Sequence, residues 1–308
     1  MFGGSGFVWS MNLLANVSRG AGNMIVPAFA IAIGELFHLA LSPLLILGWG
    51  PVPALGIAGA GLAAVMAYAV GTAVLAAHLI SRHALVRLQR RHLRWRNDEG
   101  REILRVGALS AASALLFQIT TFLVAGLIVG LGSTAIAAYG AANRLELLQY
   151  PITFAFGSAV ITMVATAAGA RDFERARRAA WAGAAVAGAI GLVFSGVALW
   201  GGSWMGLFTA DPGIRATGAL YLLCIAAVFP LTGVGLACYF ACLGVGYVAV
   251  PFLLAVVRVV IVVAGGWLAL KLGGGLIGLS LAIGAALVLF GGGMFLAARS
   301  RFARLIRQ

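Results

Sequence analysis

Two ionisable side chains, Glu35 and His38, interrupt the otherwise apolar stretch from Met24 to Gly48. Their spacing of three residues places them on one face of a helix. Glu35 lies twelve residues beyond Asn23, which is about 18 Å along a helix and therefore near the middle of a membrane. An ionisable group at that depth is costly unless it is paired or hydrated. The pair could take up and relay a proton; the alternative is a polar patch that neighbouring helices satisfy.

A second group of polar residues, Asn143, Arg144 and Glu146, precedes Pro151 in another apolar stretch. Proline has no N–H and its ring clashes with the preceding turn, so we expect a kinked or unwound backbone beside a cavity. Arg144 and Glu146 are two residues apart, so they point to different faces of a helix and need separate partners. All three residues are candidates for substrate binding. Arg144 could bind an anionic substrate group or, alternatively, anchor the helix at the membrane surface.

The composition predicts an all-α integral membrane protein, because 62% of the 308 residues are hydrophobic, only 9% are charged and the mean hydropathy is +1.05. The net charge of +13 could indicate a nucleic-acid-binding protein, but the basic residues lie between apolar stretches, so we expect no nucleic-acid partner. The sequence contains no zinc-protease motif and no phosphate-binding loop, and its three cysteines lack metal-ligand spacing. We therefore predict neither an enzyme, nor a cofactor, nor a metal site.

Eight stretches are long and apolar enough to cross a bilayer. The predicted spans are approximately 24–48, 55–80, 103–131, 135–168, 179–200, 216–243, 248–270 and 276–298; residues 1–18 look like part of another. Most Lys and Arg residues fall on one side of this arrangement, whereas the other side holds only Arg215 and Lys271. The positive-inside rule then places the C-terminus in the cytoplasm.

The sequence contains an internal repeat in which Gly20–Pro27 resembles Gly244–Pro251, and Gly56–Ala63 resembles Gly275–Ala282. Because both matches keep the same sidedness, they indicate two parallel pseudo-repeats, or lobes, in a polytopic helical bundle. The alternative is chance similarity among Gly- and Ala-rich helices.

The two repeats are unequal in length, since residues 101–236 precede the second match but only residues 1–15 precede the first. The difference corresponds to roughly four spanning helices. We therefore expect an N-terminally truncated form of a twelve-helix protein with an incomplete first lobe. The predicted domains are an N-terminal remnant at 1–80, a basic cytoplasmic linker at 81–102 and a six-helix lobe at 103–308. The linker could form a short basic helix on the inner membrane surface.

Several segments resemble the multidrug and toxic compound extrusion (MATE) family of secondary transporters. They are Ser18–Asn23 with Pro27, Ser42–Ile46, Leu55–Ala60 and Val164–Asp172 followed by Glu174–Ala176. The resemblance covers roughly the family's fourth to twelfth helices. It implies two lobes around a central cavity, with export of small organic compounds coupled to inward flow of protons or sodium.

The sequence departs from some members of this family at two positions. Those members carry acidic residues in the seventh and tenth helices for cation coupling, whereas Gln118 and Thr232 occupy the corresponding positions here. Neither side chain can carry a negative charge, so sodium coupling is less favoured than proton coupling. Gln118 and Thr232 remain candidate substrate-binding residues.

Arg258 occupies the repeat position that corresponds to residue 34, next to Glu35 in the other half of the sequence. An ion pair between Glu35 and Arg258 would reduce the cost of burying both charges, and it could break and re-form as the lobes rock. We therefore predict that Glu35, His38 and Arg258 act in ion coupling or gating.

The sequence as a whole predicts a cation-coupled antiporter that exports small organic or xenobiotic compounds. Arginine greatly outnumbers lysine, and Ala and Gly are abundant, which is typical of a GC-rich bacterial genome. We therefore expect a multi-pass protein of the bacterial inner membrane. The alternatives are a non-transporting remnant or accessory subunit, and a flippase for lipid-linked precursors.

Overall fold

The computed structural model describes residues 2–48, 53–81, 86 and 97–307, and every regular element in this part of the chain is helical. The α-helices are α1 (Ser5–Gly20), α2 (Ile25–Leu47), α3 (Gly56–Ile80), α4 (Asn97–Val129), α5 (Ser133–Gly169), α6 (Phe173–Leu199), α7 (Gly201–Gly206), α8 (Pro212–Ala226), α9 (Val228–Gly244), α10 (Ala249–Lys271) and α11 (Gly275–Ile306). They form two compact units, an N-terminal unit (Met1–Arg96) and a C-terminal unit (Asn97–Gln308).

Seven of these helices are long and apolar enough to cross a membrane, and α8 with α9 makes an eighth candidate that bends by 52°. This agrees with the eight predicted spans. Helix α1 contains 16 residues and is therefore about 24 Å long, which is shorter than a bilayer core of about 30 Å. The predicted partial span at residues 1–18 thus corresponds to α1, a helix that is shorter than a full span.

The described structure contains the boundary between the two units but little of the predicted linker. The units divide between Arg96 and Asn97, inside the predicted linker 81–102. Most of that segment lies outside the described residues, so its predicted surface helix stays a prediction. Helix α4 begins at Asn97, several residues before the start predicted from hydropathy.

The backbone repeats the same corners in both units, which confirms the internal repeat. Gly22 and Gly246 both have positive φ angles, of 82° and 67°. In each corner the next amide donates to a carbonyl five residues back, at 3.0 Å and 2.9 Å. This hydrogen bond satisfies a carbonyl that the helix end leaves free. The helices that follow these corners, α2 and α10, both contain 23 residues.

The second repeated corner precedes the final helix of each unit. Gly56 and Gly275 share a φ of 54°, a backbone conformation that favours glycine. The amide just before Gly56 donates to the Leu45 carbonyl at 3.0 Å, and the amide just before Gly275 donates to the Ala269 carbonyl at 2.8 Å. The order α1–α2–α3 therefore recurs as α9–α10–α11, whereas counterparts of α4–α6 are not among the described residues of the N-terminal unit.

Helix α9 forms the centre of the C-terminal unit and is buried along most of its length against α5, α6 and α11. Small residues allow this close packing. A Cβ atom on Gly235 would lie 2.5 Å from the Cα atom of Gly291 in α11, and a Cβ atom on Gly191 in α6 would lie 2.5 Å from the Phe229 carbonyl oxygen. Membrane helices associate through such contacts because lipid supplies little hydrophobic driving force. This packing fixes the position of α9 relative to its neighbours.

The close contact between α9 and α11 predicts different effects for two neighbouring glycines. We expect Gly291→Ala to destabilise the protein by about 1–3 kcal/mol, because its Cβ would lie 2.5 Å from the Leu231 carbonyl oxygen. Gly292→Ala is the matched control, since no atom of another element lies within 4 Å of its Cβ position. Thermal unfolding of both variants in detergent should show a lower Tm for Gly291→Ala alone. Equal Tm values would contradict this packing.

Candidate functional site

The carboxyl group of Glu146 lies in the middle third of α5 and accepts a hydrogen bond from Tyr221 of α8. The Tyr221 hydroxyl donates to Glu146 Oε1 at 2.6 Å, a short distance that is typical of an O–H donor to a carboxylate. The ring of Tyr139 packs edge-to-face on Tyr221, with centroids 5.4 Å apart. Tyr221 itself is almost completely buried. The carboxyl group is therefore held in one position by a rigid donor.

Arg258 of α10 extends toward the same region of the C-terminal unit and is only 8% exposed. Its guanidinium carbon lies 4.5 Å from the ring centroid of Phe117 in α4, within cation–π distance. Among the described residues, Arg258 Nε has no hydrogen-bond partner. The C-terminal unit thus contains both an acidic and a basic group within its membrane-spanning helices.

The path from α8 to α9 breaks beside Glu146. The two helices meet at Ala227 with a bend of 52°, and Pro230 in the following turn has no N–H to donate. The side-chain amide of the buried Gln149 donates to the Phe229 carbonyl at 2.9 Å. A broken helix is tolerated at membrane depth only where protein or water satisfies its backbone groups. The side chain of Gln149, from α5, satisfies one backbone carbonyl of the break in this way.

These groups surround a small cavity. Its lining residues are Glu146, Gln149, Tyr150, Ile225, Val228, Phe229, Thr232 and Leu287. The cavity volume of about 10 Å³ is enough for roughly one water molecule. Glu146, Gln149 and Tyr150 reach it together because residues at i, i+3 and i+4 share one helical face. The arrangement could exchange a proton between the carboxyl group and one water molecule.

The structure brings together only some of the residues that the sequence singled out in the C-terminal unit. Thr232 lines the cavity beside Glu146, and its hydroxyl donates to the Val228 carbonyl at 3.0 Å. Gln118 is exposed on α4 and Asn143 is partly buried on α5, and neither lines the cavity.

Arg144 and Glu146 point to different faces and have separate partners, as predicted. The Arg144 guanidinium carbon lies 4.8 Å from the ring centroid of Phe208, which follows α7, whereas Glu146 faces Tyr221. This contact places Arg144 near the end of the bundle, which favours an anchor over a substrate ligand. Helix α5 continues through Pro151 without unwinding; the backbone break near the cavity lies instead between α8 and α9.

Glu35 and His38 line a separate cleft in the N-terminal unit. Glu35 Oε2 lies 3.8 Å from His38 Nδ1, so the two groups form an ion pair when the imidazole is protonated. The cleft has a volume of about 350 Å³ and also contains Tyr68 and Gly34. Glu35 and Arg258 belong to different units, so their predicted pairing stays a prediction.

Sequence reasoning missed Gln149 and Tyr221. The helical spacing of Gln149 and Tyr150 from Glu146 was a usable signal, because all three share a face. Tyr221 is 75 residues from Glu146 along the chain, and nothing in the local sequence connects them. Among the described residues, no group of three or more His, Cys, Asp or Glu side chains could hold a metal ion.

Comparison with protein families matches residues 110–268 to the MatE family, a region that includes Glu146, Tyr221 and Arg258. One curated relative is the FAD transporter of Shewanella oneidensis, which is 26% identical over 52% of this chain and 36% of its own length. Another is the multidrug resistance protein NorM of Vibrio cholerae, which is 29% identical over 54% of this chain and 35% of its own length. A probable NorM of Idiomarina loihiensis is 29% identical over 71% of this chain and 48% of its own length.

Solved structures show the same fold. A MATE structure in the bent conformation has a TM-score of 0.89 at 22% identity, covering 99% of this chain and 68% of the solved one. A transporter of the MOP superfamily from Pyrococcus furiosus gives the same TM-score, identity and coverage. The chain spans between about a third and a half of the length of the curated relatives it matches. Because the family match extends over more than half of the sequence, this chain belongs to the MatE family, as the resemblance of its motifs predicted.

Proposed function

We propose that this protein takes part in secondary active efflux of small organic compounds, driven by inward flow of protons. The observation that carries this proposal is the carboxyl group of Glu146, which lies inside a membrane-spanning helix beside a small cavity. A carboxyl group at this depth is costly, so it is retained where it has a function. Proton transfer provides that function in a transporter that uses an ion gradient.

The surroundings of Glu146 favour a proton over sodium as the coupling ion. The cavity has room for roughly one water molecule and contains a single carboxylate, whereas a bound metal ion needs several oxygen ligands. The buried Arg258 adds a positive charge to the same unit, and this charge would disfavour a second cation. A proton forms a covalent O–H bond and needs no such set of ligands.

Protonation of Glu146 changes the charge balance of the C-terminal unit. When Glu146 is ionised, its charge compensates the buried charge of Arg258. When Glu146 is protonated, Arg258 loses that compensation, and the cluster gains free energy by rearranging. The break between α8 and α9 lies next to this cluster and offers a flexible point for rearrangement. Alternating access by rocking of packed helices is the general mechanism of transporters with repeated lobes.

The substrates that we propose are small organic molecules. Two of the curated relatives are named as an FAD transporter and a multidrug resistance protein. Family membership favours transport over a non-transporting remnant, an accessory subunit or a flippase for lipid-linked precursors.

We also propose that the protein lies in the bacterial inner membrane with its C-terminus in the cytoplasm. The distribution of basic residues supports this orientation, because α11 ends in several arginines, whereas Arg215 and Lys271 stand at the opposite end of the C-terminal unit. We also propose the domain boundaries predicted from the sequence, namely 1–80, 81–102 and 103–308. Glu35 and His38 remain candidates for a second proton site in the N-terminal unit.

Neutralising Glu146 tests the proposed coupling. Glu146→Gln keeps the size of the side chain and an oxygen that can accept from Tyr221, but it cannot exchange a proton. We expect export of a cationic dye from proteoliposomes, driven by an imposed pH gradient, to fall at least about tenfold, and the remaining export to lose its pH dependence.

Glu174→Gln is the matched control. Glu174 lies in the first turn of α6 and pairs with Arg177 at 2.8 Å outside the cavity, so its substitution should leave export unchanged. Full pH-driven export by Glu146→Gln would disprove the assignment of Glu146. Absence of dye export by the wild-type protein would argue against the proposed function itself.

Two double-mutant cycles identify the acidic partner of Arg258. One cycle combines Arg258→Gln with Glu146→Gln, and the other combines Arg258→Gln with Glu35→Gln. We expect a coupling of about 0.5–3 kcal/mol in the first cycle, because both charged groups lie within the membrane-spanning helices of one unit. The measured quantities are dye export and thermal stability.

The Glu146 assignment would be contradicted if the effects of Arg258→Gln and Glu146→Gln simply add while those of Arg258→Gln and Glu35→Gln do not. That result would support a Glu35–Arg258 gate. Arg258→Lys provides a further control. It keeps the charge but loses the planar stacking on Phe117, so it should retain more export than Arg258→Gln.

A further inference from the structure

A groove runs along the outside of the C-terminal unit between the first turns of α10 and the last turns of α11. Its volume is about 610 Å³. Its walls are apolar and include Val250, Leu254, Leu296 and Ala297. Its polar end is formed by Tyr247, Arg299 and Ser300. The groove therefore has a long apolar part and a short polar end with a positive charge.

The polar end of the groove lies beside a cluster of positive charges at the end of α11. Arg299, Arg301, Arg304 and Arg307 all lie in the last turns of α11 or directly after it. The sequence contains no Asp or Glu after Asp211, so α9, α10 and α11 carry no acidic partner. An anion from outside the chain would complement this charge.

Arg301 connects this charge to the groove. Its guanidinium carbon lies 5.2 Å from the ring centroid of Tyr247, which stands at the polar end of the groove. Its Nε is buried and, among the described residues, has no hydrogen-bond partner. Arg301 therefore adds its positive charge close to the groove, although its side chain lies on a different face of α11 from Arg299.

The packing of α11 fixes the position of the arginines, and the length of the helix is consistent with their lying beyond the bilayer core. This helix contains 32 residues and is therefore about 48 Å long, which exceeds a bilayer core of about 30 Å. Phe302 and Leu305, in the same turns as the arginines, are only 1% and 8% exposed and belong to the core that includes α6 and α9. The end of the helix is thus fixed to the unit.

We propose that this groove binds one anionic glycerophospholipid. An acyl chain lies along Val250, Leu254 and Leu296, the phosphate group contacts Arg299 at the polar end, and the charge of the neighbouring Arg301 adds to the attraction. A zwitterionic lipid lacks the net negative charge that the arginines require, and free phosphate lacks the acyl chain that fills the apolar walls. Basic pockets between membrane helices are known to bind acidic head groups in this way. The inference does not depend on the proposed transport activity.

Native mass spectrometry of the purified protein tests this proposal. The detergent-solubilised protein is incubated with an equimolar mixture of phosphatidylglycerol and phosphatidylcholine, or with inorganic phosphate. We expect the wild-type protein to retain one phosphatidylglycerol molecule at least about fivefold more often than phosphatidylcholine, and to retain no phosphate. A factor of about five per arginine corresponds to the attraction of one basic residue near an anionic membrane.

Two variants separate the charge from the apolar groove. The double substitution Arg299→Gln with Arg301→Gln should lower retention of phosphatidylglycerol at least about fivefold. Ala297→Trp fills the groove but leaves every arginine in place, and it should also lower retention. The control is Arg175→Gln with Arg178→Gln, which removes the same charge from exposed positions in the first turns of α6.

Three results would overturn the proposal. The first is equal retention of the two lipids by the wild-type protein. The second is an equal loss of phosphatidylglycerol in the control variant, which would indicate a diffuse basic surface. The third is a result that excludes the apolar groove from binding. Either unchanged retention of phosphatidylglycerol by Ala297→Trp or retention of inorganic phosphate by the wild-type protein would be such a result.

Discussion

A backbone amide or carbonyl left unpaired in the hydrocarbon core of a membrane costs several kcal/mol, and this constraint determines most of the structure. It explains why the regular elements among the described residues are helical, and why the chain turns at corners whose amides donate back to helix-end carbonyls. It also explains where the break between α8 and α9 lies. The break is enclosed by α5, α6 and α11, where the Gln149 side chain donates to the Phe229 carbonyl. In contact with lipid, the same break would leave polar groups unpaired.

The break allows a polar cluster to form inside the C-terminal unit. Glu146 receives a hydrogen bond from Tyr221, and the buried guanidinium of Arg258 lies over the ring of Phe117. Removing one partner from such a group would leave a buried charge uncompensated, which costs more than the pair contributes when intact. Stability alone does not explain the cluster, since well-packed apolar side chains would stabilise the unit at least as well.

The repeat places different residues at corresponding positions of the two units. Gly34 in α2 and Arg258 in α10 occupy corresponding positions, and both are buried in their own units. A Cβ atom on Gly34 would lie 3.2 Å from the Ala67 carbonyl oxygen, so α2 and α3 are close there. Arg258 instead extends from α10 to the ring of Phe117 in α4. Glu35, next to Gly34, lies with His38 in a cleft of the N-terminal unit.

The sequence by itself determined the membrane class, the eight candidate spans, the internal repeat and the family. These features depend on apolar length and on glycine and proline at fixed spacings, which are local properties of the chain. The sequence also identified Glu146 and Arg258, because ionisable residues are few in apolar stretches, and the family resemblance identified Thr232. Only the tertiary structure decided that Glu146 pairs with Tyr221, that Arg144 contacts Phe208 instead of the cavity, and that the break falls at Ala227 and not at Pro151. These features depend on contacts between helices distant in the chain, where close packing selects the partner of each side chain and spacing along one helix carries no information about it.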